Sequence, residues 1–238
     1  MKAMILAAGL GTRLKPFTDQ HPKALAPVNG KTVLQRNIEW LQHYGISDVI
    51  VNVHHFAEQI IQTITDNKGW GSNVVISDES HEVLETGGGI KKAGWFLQQD
   101  AFSLVMNADI LTDLPLDKMI LLHQQQRPLA TLATTNRQSS RYLLFEEITG
   151  KGDLLRGWKN VKTNVLKGVE AAPKAFSGIQ ILSAGIFDQV TATGKFSMID
   201  VYLDLCHKHA IVSFDHSNGK LIDIGTMEKL ALAETMFP

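Results

Sequence analysis

Along the first 110 residues two textures alternate. Short apolar runs, rich in β-branched residues, are separated by stretches in which apolar residues recur every three or four positions. The runs KAMILAAG, ISDVIVNVHH, NVVISDE and FSLVMNAD predict buried strands. Between them, TVLQRNIEWLQHYG carries Leu34, Ile38 and Leu41 on one helical face and stops at Gly45. FAEQIIQTITD carries Ile60, Ile61 and Ile64 at helical spacing, and GGGIKKAGWFLQ predicts a helix that opens at a glycine cluster. Strand and helix in strict alternation predict an α/β fold, a mostly parallel sheet with helices on both faces. In such sheets ligands bind outside the carboxyl ends of the strands. The loop at residues 7–18 and Asp109 both fall at such ends.

Beyond PLDKMILLHQQQR, which reads as a helix, the pattern shortens. LATLATTN, YLLFEEI, DLLRGWKN and KAFSGIQIL predict strands, with a hairpin turn at 149–152 and a loop crossing back over 161–174. SMIDVYLDLCHKH returns to helix, AIVSFDH and KLIDIG to strand, and TMEKLALAETM closes the chain as a helix. No internal repeat interrupts this order, so residues 1–238 are expected to form one domain, with a first part over 1–110 and a second over 111–238.

Composition narrows the function classes. Lys and Arg number 23 against 24 Asp and Glu, so no basic excess draws in a nucleic-acid backbone. No apolar run reaches membrane-spanning length, and the N-terminus lacks a signal-peptide pattern, so a cytoplasmic protein is expected. The single cysteine, Cys206, excludes an internal disulfide and reads as a core residue. Trp40, Trp70, Trp95 and Trp158 do not line up as a stacking platform and are given no ligand role.

The chemistry concentrates in AAGLGTRLKPFT. A dinucleotide loop needs a third glycine, but Leu14 stands there, and no acidic residue ends VNVHH. A Walker loop is absent as well. What remains is a backbone turn at Gly9 and Gly11 able to approach phosphate oxygens closely. Arg13, Lys15 and Lys23 follow on a segment stiffened by Pro16, Pro22 and Pro27. Arg13 and Lys23 suit a polyphosphate, whereas Lys15 alone reads as a solvated residue.

AAGLGTRLKPFTDQHPKALAPV resembles the signature of the sugar-1-phosphate nucleotidyltransferases, G-x-G-T-R-L-x-P-x-T followed by P-K-P-L. ETGGGI, VMNADI, FSGIQIL and DIGTMEKL follow in that family's order over nearly the whole chain. The resemblance implies a single Rossmann-like domain of the GT-A type, with nucleotide binding over 1–110 and sugar-phosphate binding over 111–238. It implies a reaction in which a sugar 1-phosphate attacks the α-phosphorus of a nucleoside triphosphate and pyrophosphate leaves. Arg13 and Lys23 are then catalytic. Ala8, Gly9, Gly11, Thr12 and Arg13, together with Glu85, Thr86 and Gly87, contact the nucleotide. Asn107, Ser177 and Gly178 face the sugar, and Asp109 and Asp223 hold Mg²⁺. UTP and N-acetylmuramate 1-phosphate are the favoured substrates. Guanylyl transfer to mannose- or heptose-1-phosphate, cytidylyl or thymidylyl transfer, and a non-catalytic nucleotide- or sugar-sensing module are the alternatives. No nucleic acid or membrane partner is implied, and a monomer or small homo-oligomer is expected. The carboxylate of N-acetylmuramate calls for a cation, for which Arg141, Lys174 and Lys91 are candidates. Two positions depart from the family pattern: Ala24 replaces a proline, and Ala108, before Asp109, replaces a glycine, where a methyl group is expected to crowd the metal or shift the backbone. The chain stops after the closing helix, so no appended acetyltransferase repeat is expected.

Overall fold

Alternation along the strands divides the core between two faces of a sheet. The computed structural model describes residues 1–149 and 152–238. In β1 (Ala3–Leu6), Ala3 and Ile5 enter one apolar cluster and Met4 the other, because successive strand side chains point to opposite sides. A ribbon of β2 (Pro27–Val28) and β3 (Lys31–Thr32) leads into α1 (Val33–His43), whose first turn is capped by Thr32. Next come β4 (Asp48–Val53), α2 (Ala57–Asp66), β5 (Asn73–Asp78), α3 (Glu85–Lys92), α4 (Gly94–Leu97) and β6 (Phe102–Asn107). A short β7 (Ile110–Thr112) and α5 (Leu116–Gln126) follow. The second half contains β8 (Ala130–Thr135), β9 (Arg141–Ile148), β10 (Gly152–Asn160), β11 (Val165–Gly168) and β12 (Ala172–Ser183). It closes with α6 (Ile186–Gln189), α7 (Met198–Leu205), β13 (Ile211–Asp215), β14 (Leu221–Asp223) and α8 (Met227–Met236).

The main sheet runs in the order β11-β10-β13-β8-β12-β6-β1-β4-β5, with β9 bonded to β10 and β12. β5, β4, β1 and β6 are mutually parallel. β12 is antiparallel to both its neighbours, β6 and β8, and β8 is parallel to β13. The central sheet is therefore mostly parallel, with β12 reversed inside it and β10 reversed near one edge, antiparallel to β13, β11 and β9. Leu34, Ile38, Leu41, Ile60, Ile64 and Met119 place α1, α2 and α5 on one face. Ile90, Phe96, Leu97, Ile186, Val201 and Tyr202 place α3, α4, α6 and α7 on the other. No helix among the described residues is long and apolar enough to cross a membrane.

A third cluster governs the site. Leu14, Val28, Val33, Leu111, Ile222, Ile224, Leu230 and Ala233 pack together. They tie the loop after β1 to α8 and to a ribbon outside the main sheet, in which β14 pairs antiparallel with β7 and Asp223 lies opposite Ile110.

Two local expectations change, and a third lies partly outside the described residues. The loop expected over 161–174 contains β11 and the start of β12. All four residues of β11 are exposed, so this short segment shows no alternation and reads as a loop although its backbone pairs with β10. The pairing is close: a Cβ on Gly168 would lie 2.3 Å from the Arg156 carbonyl oxygen. The helix expected to open at the glycine cluster begins earlier, at Glu85, so the glycines lie within it. The turn expected at 149–152 includes residues outside the described ones.

His123, on α5, is buried between β8 and the end of β12, with Nδ1 on Thr131 Oγ1 at 2.8 Å and Nε2 on Ser183 Oγ at 3.1 Å. Burial pushes its pKa down from 6.5 to about 4. Between those values the unfolded chain binds the proton and the folded chain does not, so stability is full above about pH 6.5 and is lost as the pH falls towards 4. Urea denaturation at pH 7 and pH 5 is expected to show a loss of roughly 2 kcal/mol from this group. His123→Gln should show a correspondingly smaller loss between the same two pH values; equal losses would remove His123 as the cause.

Candidate functional site

The loop after β1 is built to leave donors unused. Gly11 has φ 64°, and a Cβ there would lie 2.9 Å from Thr18 Cγ2. Its carbonyl accepts from Leu14 N at 3.0 Å and from Thr18 Oγ1 at 2.9 Å, which closes the turn. The backbone N–H groups of residues 9–13 meet no backbone acceptor among the described residues. A run of free N–H groups in a turn forms an anion cradle. Leu14, which stands where a dinucleotide loop has glycine, is fully buried in the third cluster and anchors the turn.

Three charged residues converge beside this turn. Pro22 leads in extended conformation into the 3-10 turn Lys23–Leu25. Lys23 Nζ bonds Asp109 Oδ2 and reaches Asp223 Oδ1 at 3.5 Å, across 200 residues of sequence. Asp109 follows β6, and Ile224 N donates to its carbonyl at 2.9 Å, which fixes the strand end against β14. Lys229, in α8, lies 3.8 Å from Asp223 Oδ2. The second oxygen of Asp109, Oδ1, is buried without a hydrogen-bond partner. Two carboxylates from different strand ends, one with an unpaired buried oxygen, fit the one or two carboxylates that Mg²⁺ takes from protein. Among the described residues no larger group of metal-ligating side chains forms.

A cleft of about 410 Å³ opens over this point, lined by Ala8, Gly9, Lys23, Asn107, Asp109, Glu85 and Thr86 among others. Arg13 and Thr12 are exposed beyond its edge. The Arg13 guanidinium lies by Gly225, where a Cβ would sit 3.2 Å from both Arg13 Nη2 and Asp223 Oδ1. Lys15 is exposed and pairs with Asp19 at 2.9 Å.

Several expected residues stand behind the cleft wall. Ser177 is buried, its Oγ 2.7 Å from His216 Nε2. Gly178 has φ 76°, and a Cβ there would lie 2.7 Å from Asn107 Nδ2. They pack against His216 and Asn107, and neither is among the residues lining the cleft. Burial lowers the pKa of His216, and the charges of Asp215 and Asp113 only partly oppose it. Gly87 is also buried: its N–H donates to the Phe196 carbonyl at 2.9 Å, and a Cβ would meet the Phe196 ring at 2.3 Å. Thr86 lines the cleft and accepts from Met198 N at 3.0 Å. Ala108 lines the cleft beside Asp109; its N–H donates to the Leu6 carbonyl, its carbonyl accepts from Asn37 Nδ2, and its φ is not positive.

Among the cleft residues that escaped the sequence reading, two form a buried polar link. Asn52, buried in β4, accepts from Ala7 N at 2.7 Å and donates through Nδ2 to Glu79 Oε1 at 2.8 Å. Glu79 follows β5, is 2% exposed, and accepts from Leu84 N at 3.3 Å through Oε2. The signal was present: Asn52 is a lone amide inside an apolar strand, and Glu79 is an acid at a strand end.

Residues 2–144 match the family described as Nucleotidyl transferase. The chain is 30% identical to the N-acetylmuramate alpha-1-phosphate uridylyltransferase of Neisseria meningitidis serogroup B, over 99% of this chain and 98% of that protein. It is 37% identical to the UTP-glucose-1-phosphate uridylyltransferase of Synechocystis over 56% of this chain, and that match spans 37% of the relative's length. The crystal structure of HddC from Yersinia pseudotuberculosis superimposes with a TM-score of 0.74 at 25% identity, covering 100% of this chain and 99% of that one.

Asn52→Ala strips partners from the Ala7 N–H and from a Glu79 oxygen, both at buried positions. Urea denaturation should register a loss of about 2–3 kcal/mol. Titration with nucleoside triphosphate should show weaker binding, since Ala7 leads directly into the cradle; unchanged stability would show that the Asn52 bonds do not hold the loop.

Proposed function

We propose that this chain, which belongs to the nucleotidyl transferase family and within it to the sugar-1-phosphate nucleotidyltransferases, moves a nucleotidyl group from UTP to N-acetylmuramate 1-phosphate. One observation carries the reading: Lys23 bridges Asp109 and Asp223 beside a turn with a run of free N–H groups. That arrangement suits a polyphosphate whose α-phosphorus is attacked while two further phosphates depart.

The sugar phosphate has a second pKa near ~6 and is already mostly dianionic at neutral pH. Its oxygen therefore attacks without a general base, and no histidine is needed. A new P–O bond forms at the α-phosphorus, the bond to the bridging oxygen breaks, and pyrophosphate leaves with the electron pair. Positioning and charge neutralisation then supply most of the rate. The cradle orients the triphosphate. Arg13, exposed and close to Asp223, is placed to fork onto the departing phosphates. Lys23 exchanges its carboxylate partners for the incoming sugar phosphate and the α-phosphate. Asp109 and Asp223 would hold Mg²⁺, which supplies further neutralisation of the phosphate oxygens when bound.

We assign base choice to Glu79, which lines the cleft and keeps acceptor capacity beyond its bonds to Asn52 and Leu84. A carboxylate only accepts hydrogen bonds, so it suits the N3–H of uracil and rejects cytosine, whose N3 is an acceptor. Guanine also offers donors on that edge, so GTP is the second reading. The name of the Neisseria relative, which is similar over its whole length, supports UTP and N-acetylmuramate 1-phosphate.

The test is pyrophosphate release from UTP and N-acetylmuramate 1-phosphate in the presence of Mg²⁺. Asp109→Ala and Lys23→Ala should each lower turnover by about 10²–10³-fold or more while far-UV circular dichroism stays native. Release at the wild-type rate by either purified variant would sink the assignment.

A further inference from the structure

A second hollow adjoins the cleft. It measures about 230 Å³ and is lined by Arg141, Trp158, Lys167, Ser197, Ile199 and Asp200. Ser197 lines the cleft as well, so the two meet there. The junction is tightly stitched: Phe196 O accepts from Gly87 N at 2.9 Å, and Thr86 Oγ1 accepts from Met198 N at 3.0 Å. Small-molecule pockets usually enclose roughly 300–1,000 Å³, so this hollow suits a ring substituent better than a second nucleotide.

Its chemistry is apolar on one wall and cationic on another. Trp158 supplies an indole face, with Lys167 Nζ 5.7 Å from the ring centroid. Lys167 is already paired with Asp200 at 2.7 Å. Arg141, by contrast, bonds Ser139 Oγ only through its backbone N–H, at 3.2 Å, and its guanidinium has no acidic partner among the described residues. A guanidinium stays charged at any working pH and matches a carboxylate with two parallel bonds.

The other cations are committed. Lys174 lies between Asp153 at 2.6 Å and Asp215 at 3.1 Å. Burial opposes its charge, but the two carboxylates outweigh burial and raise its pKa. Lys91 Nζ donates to the Ala192 carbonyl at 2.7 Å, and Lys195 pairs with Glu85 at 3.7 Å.

We infer that Arg141 receives a carboxylate borne on the sugar ring and so sets a preference for acidic over neutral sugar 1-phosphates. The inference rests on the reading above for the acceptor and for its phosphate end. Trp158 takes the apolar part of the substituent, and the 1-phosphate remains with Lys23.

Calorimetric binding of N-acetylmuramate 1-phosphate and N-acetylglucosamine 1-phosphate, which differ by the lactyl ether and its carboxylate, tests this. The wild-type protein should bind the acid about 10- to 100-fold more tightly than the neutral sugar. Arg141→Gln should abolish that preference, and Arg141→Lys should recover part of it. In turnover assays the same Gln variant should lower the acid-to-neutral ratio of kcat/KM by a similar factor, through KM. Equal binding of both sugars by the wild type, or a preference that survives Arg141→Gln, would overturn the inference. A binding preference without pyrophosphate release from either sugar would keep Arg141 and remove the transfer reading instead.

Discussion

Asp109 and Asp223 are neighbours because β14 leaves the main sheet and pairs with β7. That small ribbon has almost no sheet to support it, and its apolar residues supply the support. Leu111, Ile222 and Ile224 bury themselves with Leu14 from the turn after β1 and with Leu230 and Ala233 from α8. The same hydrophobic contacts therefore hold both that turn and the second carboxylate. The sheet core holds the rest, since Ala24 beside Lys23, and Ala108 and Ile110 beside Asp109, belong to one of its face clusters.

Around this apolar knot the polar groups form two separate systems. Lys23 offsets the repulsion of two carboxylates brought close together, and half of Asp109 is still left without a partner. On the other side of the cleft, Asn52 connects the turn to Glu79 and through it to Leu84 at the start of α3. Burying a carboxylate is costly unless hydrogen bonds satisfy it. Each Glu79 oxygen accepts one internal hydrogen bond, so the carboxylate is held in place on its side of the cleft.

Much of this was legible in the chain. Apolar runs ending in Asp109 and Asp223, and a glycine turn followed by Arg13 and Lys23, marked strand ends and cations before any contact was known. Periodicity gave α1 and α2 closely, because their buried faces are regular. It missed β11, since a strand exposed on both faces has no alternation to read. Glu79 was missed because an acid was sought at the end of β4, as a dinucleotide site requires, whereas this fold puts it one strand further, after β5. Ser177 and Gly178 were expected on the sugar side through the family resemblance. Sequence does not show which neighbours a small residue packs against, here His216 and Asn107.

The three glycines of α3 close that segment to variation. At Gly88 any side chain would run into the Gly194 carbonyl at 2.3 Å, and at Gly89 into Glu79 at 2.8 Å. With Gly87 facing Phe196, a helical turn beside the cleft is held to small residues by its neighbours. Room for new side chains lies instead at Glu79 and Val83 in the cleft and at Arg141 and Trp158 in the adjoining hollow, so the packing of one helix steers where this surface can change.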